Sequence, residues 1–186
     1  MGDHLKPLIE FTPQILAAFK KRNQRRLRKL NERVLRASAL EPTKANLSLA
    51  VFSYVLGKIV SKPRLLRREY EPRLRDIEVV LEKLVKKTEV AKEEELLSIF
   101  SELEKAITSL EEKDPRFLLS LVSKGKLKMA ATFYAQGMSL GVASDMTGLE
   151  KQEILDYAGH TMMFDRVKEE KSVTERMKDA RRLLAG

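Results

Sequence analysis

Two runs of large apolar residues limit what this chain can fold into. Leu74, Ile77, Leu81 and Leu84 recur at steps of three and four, as do Leu96, Phe100, Leu103, Ile107 and Leu110. Side chains return to one side of an α-helix at that spacing, whereas a strand returns every second residue, so both runs are predicted to be helices with heptad-like seams. The link "TEVAKEE" is short enough to close them into an antiparallel hairpin, and a dimerising coiled coil is the other use of the same seam. Elsewhere glycine is sparse, proline stands at segment starts and strand-like alternation is absent, so the whole chain reads as all-α.

Thr12-Pro13 is expected to cap and open a basic N-terminal helix to about Ala37, with Ile15, Phe19, Leu27, Leu30 and Val34 as its apolar positions. Pro42 opens a second helix whose apolar residues Leu47, Ala50, Val51, Tyr54, Val55 and Leu56 surround most of its circumference, which makes it the core element. A third helix runs from the Pro63 break to about Thr88, and the fourth carries the Leu96 seam. Asp114-Pro115 then caps a short helix ending near Lys124-Gly125. Three more short helices follow at 126–136, 139–146 and 150–158, stopped by Gly137, Gly148 and Gly159. This change of pattern places a boundary near 113. Residues 1–113 hold the basic helix, the buried helix and the central hairpin; residues 114–186 hold a C-terminal helix-turn-helix unit and a terminal capping helix. Ser172 and Glu175 form a capping box for that last helix, and the connection "HTMMFDRVKEEK" reads as extended.

Charge narrows the class of partner. The chain has 186 residues and a formal net charge of +9. Lys20 to Arg36 holds nine Lys or Arg against Glu32 alone, and Lys58 to Arg75 holds seven against Glu69 and Glu71. Such crowding of like charge is self-repelling unless an anion is bound, so nucleic acid is the expected partner. The absence of cysteine excludes disulfides, thiolate metal sites and cysteine nucleophiles, and it fits a cytoplasmic location. The longest uncharged run, Ala45 to Gly57, is thirteen residues, against about 20 for a membrane span. The opening "MGDHLKPLIEFTP" lacks the basic-then-apolar layout of a secretory leader, so no membrane association is expected. Phosphate-binding P-loop, dinucleotide fingerprint, nucleophile elbow and HExxH zinc motif are all missing. His4 and His160 are far apart, and a His160 four residues after Asp156 more often closes a helix end than serves as a base. The chain is therefore expected to be no enzyme and to hold no cofactor or metal.

The stretch "YAQGMSLGVASDMTGLEKQEILDYAG", from Tyr134 to Gly159, places two short helical patterns either side of Thr147-Gly148. Ala143 and Ser144 are small enough for two helices to cross closely, and Gly148 admits the positive φ of a tight turn. Leu149, Ile154 and Tyr157 are spaced to pin the second helix, which leaves Lys151 and Gln152 outward to read base edges. Glu150, Glu153 and Asp156 make that helix acidic, so phosphate binding falls to other residues. Those are Lys20, Lys21, Arg22, Arg25, Arg26, Arg28 and Lys29, with Lys126 and Lys128.

With Ser139-Leu140-Gly141 and Ala143 before Gly148, and "EILDY" after it, this segment resembles the helix-turn-helix of small prokaryotic regulators. In particular it resembles antitoxin-like proteins, many of them archaeal, that accompany PIN-domain ribonucleases. The resemblance covers about Met129 to Asp165. It implies DNA binding through Lys151 and Gln152, self-association as a homodimer, and a ribonuclease partner. The chain is thus expected to be a DNA-binding transcriptional regulator. Its two rivals are an antitoxin-like subunit that neutralises a ribonuclease and an RNA-binding accessory protein.

Overall fold

The structure, a computed structural model, describes residues 5–112 and 120–163. Among these residues eight α-helices follow one another. They are α1 Lys6–Lys20, α2 Gln24–Leu40, α3 Lys44–Val60, α4 Glu71–Lys87, α5 Glu93–Glu111, α6 Leu121–Ala135, α7 Leu140–Thr147 and α8 Lys151–His160. The protein is all-α, as the spacing of its apolar residues requires.

α3 is the centre. Thr43 closes its N-terminus, the side-chain oxygen accepting the Asn46 N–H at 3.1 Å, and most residues from Ala45 through Val60 are buried, with Ser48, Tyr54 and Gly57 half-buried and Lys58 exposed. Burying each Val, Leu, Ile or Phe contributes about 1.5–3 kcal/mol, so the other helices order around this one. Ser38 of α2 donates to the Asn46 carbonyl at 3.0 Å, Asn31 donates to the Ala50 carbonyl and the Ser53 hydroxyl, and Leu27 lies against Gly57. These fix the side of α3 that faces α2. Val51 and Val55 meet Gly125 of α6, while Phe52 stacks on Phe100 of α5 with ring centroids 5.5 Å apart. At about 100° per residue, α2, α6 and α5 therefore meet α3 on different sides, and α1 and α7 pack on it as well.

The basic N-terminal segment is two helices, not one. Pro7 stands in the first turn of α1, and Pro13 lies inside that helix instead of opening it. The break falls at Arg22, whose φ of 51° is left-handed. Its guanidinium donates to the Phe19 carbonyl at 3.0 Å and reaches Glu78 of α4 at 2.8 Å, which offsets a conformation unfavourable for a side chain with a Cβ. Asn23 then caps α2 by accepting the Arg26 N–H at 2.9 Å. The segment after Pro63 forms two single-turn 3-10 helices, Pro63–Leu66 and Arg68–Tyr70, before α4 begins. Its Pro63 and Pro72 each stand where a helical first turn tolerates the missing donor.

The hairpin closes within the chain. Leu74, Ile77, Leu81 and Leu84 of α4 and Leu96, Phe100, Leu103, Ile107 and Leu110 of α5 are all buried. Lys83 bridges the two helices to Glu102 at 2.6 Å. The nine seam residues are thus buried within one chain.

α6 also departs from expectation, because Gly125 lies inside the helix and does not stop it. A Cβ there would stand 2.8 Å from a Val55 methyl, so glycine serves close approach to α3. Leu121, Val122, Met129 and Phe133 of α6 join the main core, while Ala130 and Ala131 meet Ala143, Ile154, Ala158 and Met163 in a second, smaller one. α6 is thus the wall between the two cores. Gly137 and Gly148 end helices with positive φ, but Gly159 falls within the last turn of α8. The Asp114-Pro115 cap, the boundary near 113, the Ser172 and Glu175 capping box and most of the "HTMMFDRVKEEK" connection lie outside the described residues.

One buried acid joins α5 to α6. The Glu111 carboxylate accepts the Leu121 N–H at 2.6 Å. Burial pushes its pKa above the usual carboxylate range, against the pull of bonds from Leu121 and Ser120 and of Lys62 and Lys124. A raised folded pKa gives stability that is present below the unfolded value and is lost as pH rises through the folded one. Glu111→Gln keeps an acceptor and removes the charge. Its melting temperature is expected to exceed that of the native protein at neutral pH and to converge with it below about pH 4. Thermal denaturation across that range checks this, and a variant less stable at neutral pH would show that the charge holds the start of α6.

Candidate nucleic-acid interface

α2 separates its residues cleanly by side. Leu27, Leu30, Val34 and Ser38 are buried, which turns Arg25, Arg28, Lys29, Glu32 and Arg36 to solvent on the opposite face. The distance from Arg25 to Arg36 along the axis is about 16 Å at 1.5 Å per residue. Among the described residues, none of these four cations has an ion-pair partner. α5, on another side of α3, carries six carboxylates against Lys105 alone.

Other cations of the basic run are engaged within the fold. Lys20 binds Glu82 at 2.5 Å. That hydrogen bond holds the Lys20 ammonium above its usual pKa and the Glu82 carboxyl below its own. Arg22 is held by Glu78 and lies over the Phe19 ring, with its charged carbon 4.9 Å from the centroid. Arg26 donates to the Gln14 side chain at 3.0 Å, Arg33 pairs with Glu10 at 2.7 Å, and Lys126 pairs with Glu104 at 3.2 Å. Of the expected phosphate contacts, Lys20, Arg22 and Lys126 are therefore already neutralised by carboxylates. Arg25, Arg28 and Lys29 share one open face, and Lys21 is exposed at the end of α1. Arg36 belongs with them and was missed, although it continues the steps of three and four that begin at Arg25. A cleft of about 600 Å³ beside Lys20 and Arg22 is lined also by Glu71, Glu78 and Glu82, a mixture of charge that does not suit an anion.

The two short helices are built as their sequence requires. Ser139 caps α7, accepting the Val142 N–H at 3.2 Å. Ser144 donates across the turn to the Leu149 carbonyl at 2.7 Å, and Gly148 has φ 70°. Ala143 and Ile154 are buried, with Leu149 and Tyr157 half-buried against them. Lys151 and Gln152 are exposed on α8. Gln152 is not idle, since its amide donates to the Asp156 carboxylate at 2.8 Å. The Glu150 N–H is satisfied by the Glu153 side chain at 3.3 Å, and His160 meets the Asp156 backbone carbonyl at 2.7 Å as a helix-end contact.

Tyr54 of α3 is half-buried. Burial raises the pKa of Tyr54, and the nearby Tyr157 phenol adds to it. The ammonium groups of Lys128 and Lys58 lie 4.4 Å and 5.5 Å from the Tyr54 ring centroid, both within the range of a cation–π attraction. Lys58 was not singled out in the sequence; its spacing of four from Tyr54 was the available signal. Among the described residues no cluster of three metal-ligating side chains occurs, and no helix is long and apolar enough to cross a membrane. No protein-family model matches the chain, and no curated protein or solved structure matches it.

Proposed function

We propose that this is a nucleic-acid-binding protein, a DNA-binding regulator in which α2 grips phosphates and an α7–α8 helix-turn-helix sets register. The observation that carries the reading is the α2 face, where Arg25, Arg28, Lys29 and Arg36 stand together, exposed and unpaired among the described residues. Holding four cations with only Glu32 among them on one helix face is less favourable alone than on a phosphate backbone, where each releases a condensed counterion. Lys151 and Gln152 take the base edges. To pair with adenine, Gln152 must surrender its bond to Asp156. That loss is about 0.2–0.5 kcal/mol for an exposed Gln–Asp pair at this helical spacing, against about 1–3 kcal/mol of discrimination from a bidentate contact, so base reading stays favourable. A homodimer, which doubles the footprint, uses a surface other than the buried α4–α5 seam.

The acidic surroundings of α8 favour one alternative. Glu150, Glu153 and Asp156 lie close to Val142 and Leu155 in sequence, and both apolar residues are exposed. Such a surface fits an antitoxin-like subunit that docks a ribonuclease.

Binding measured across a salt series with duplex DNA, duplex RNA and a scrambled competitor tests the proposal. The four phosphate contacts on α2 are expected to contribute about −3.6 to the slope of log K against log salt on duplex DNA. A flat slope overturns it, and preference for the RNA moves the reading to RNA binding. The double variant Lys151→Ala with Gln152→Ala is expected to lose sequence preference and keep the slope. Full retention of that preference, together with loss of a ribonuclease partner, assigns α8 to the antitoxin-like alternative.

A further inference from the structure

The outer face of α4 is complementary to its own reverse. Glu71, Arg75, Glu82 and Lys86 stand at steps of four, seven and four with Val79 between them, so all five fall within about 80° of the helix circumference. That stripe is turned away from Leu74, Ile77, Leu81 and Leu84, which face the core. Its charges run negative, positive, negative, positive along the axis. Laid antiparallel beside a copy of itself, the stripe sets each charge against its opposite.

Within the chain these groups are only partly engaged. Glu82 binds Lys20 at 2.5 Å, while Glu71 lies 3.8 Å from Arg75 and 3.9 Å from Arg22, whose guanidinium is held by Glu78 at 2.8 Å. All the contacts of Glu71 and Glu82 fall on Oε1, which leaves Oε2 of each open to a further donor among the described residues. Lys86 acts on Glu82 one turn away but forms no ion pair among the described residues. Val79, in the middle of the stripe, is 62% exposed. The cleft that borders the stripe is lined by three cations and three carboxylates, so it is neutral on a chain whose formal net charge is +9. Two chains of that charge repel, and the repulsion is least where neutral faces meet.

We infer that this face of α4 is a homodimer interface, in which α4 packs antiparallel to α4 of a second copy about a two-fold axis passing between Glu78 and Val79. Glu71 then faces Lys86 of the second copy and Arg75 faces its Glu82, and each pair occurs twice because a two-fold contact is isologous. The ion pairs fix direction and register, and the two Val79 side chains flank the axis. From Glu71 to Lys86 the stripe is about 22 Å long. A contact of that length lies at the low end of specific interfaces, so dimerisation is expected at roughly 10–100 μM and to weaken with salt. Its use rests on the nucleic-acid reading above, where a homodimer doubles the footprint on DNA; the pairing itself needs no nucleic acid.

Sedimentation equilibrium without DNA, from about 10 μM to about 1 mM protein and at about 0.05 M and about 0.5 M salt, tests the interface. The native chain is expected to dimerise at the lower salt and to dissociate at the higher. Arg75→Glu and Glu82→Arg each set two like pairs across the axis, and each is expected to weaken dimerisation by at least about tenfold. Mixed in equal amounts, the two variants recover opposite charges at both pairs, so the mixture is expected to dimerise as the native chain does. A native chain that stays monomeric overturns the inference, as does a mixture no more associated than its components. Should Glu82→Arg fail to fold without its Lys20 bond, Lys86→Glu mixed with Glu71→Lys makes the same crossed comparison, and absence of recovery there overturns the inference equally. Because no DNA is present, that failure leaves the α2 reading standing, and a native chain that dimerises but binds DNA with a flat salt slope loses the α2 reading and keeps the interface.

Discussion

Phe133→Ala is expected to lower the free energy of unfolding by about 3–5 kcal/mol. Phe133 is 1% exposed and belongs to the main core, although its neighbours Ala130 and Ala131 belong to the smaller one. Its ring therefore anchors the helix on which α7 and α8 rest. The small core compensates little, because of its six buried residues only Ile154 and Met163 are larger than alanine. Against a total stability typical of about 5–15 kcal/mol, the loss is large enough to free α7 and α8 from the remainder. Urea denaturation is expected to show a lower midpoint, and hydrogen exchange to show faster exchange in α7 and α8 than in α3. Equal protection of the two regions in the variant would show that α6 does not couple them.

How much of this was legible in the sequence varied with the kind of signal. The α4 and α5 seams and the turn at Gly148 were readable because periodicity and a single αL position are local properties. Whether the seams closed on each other or on a second chain was not local; it depends on α3 offering Phe52 to Phe100. The break between α1 and α2 was missed because no glycine marks it. Arg22 takes the left-handed conformation only where Glu78 and the Phe19 carbonyl are there to hold its guanidinium, and Glu78 is supplied by α4. Gly125 was misread for the same reason, since close approach to Val55 looks in sequence like a helix stop. On the candidate interface, the charge run was plain but its division was not. Which arginines are paired internally and which face solvent follows from tertiary packing against Glu10, Gln14, Glu78 and Glu82.

That division bears most directly on a protein with glutamine at Arg25, Arg28, Lys29 and Arg36. Its salt slope on duplex DNA is expected to be shallower than the native one by about 3.6, from four contacts at 0.9 each. If native and variant bind alike near 1 M salt, that difference corresponds to a loss of roughly four-thousand-fold in affinity at about 0.1 M. Lys20→Gln provides the contrast. Lys20 is already neutralised by Glu82, so its removal is expected to leave the slope near the native value. Stability should move in the opposite direction to binding. Arg25 repels Arg28 and Lys29 at helical spacings of three and four, and relief of each such pair is worth about 0.2–0.5 kcal/mol. The quadruple variant is thus expected to melt slightly above the native protein while binding far more weakly. A structural role for these side chains gives the reverse, with a lower melting temperature and an unchanged slope. Only a ligand that neutralises the face makes the native charges favourable, and the two measurements on one variant separate those cases.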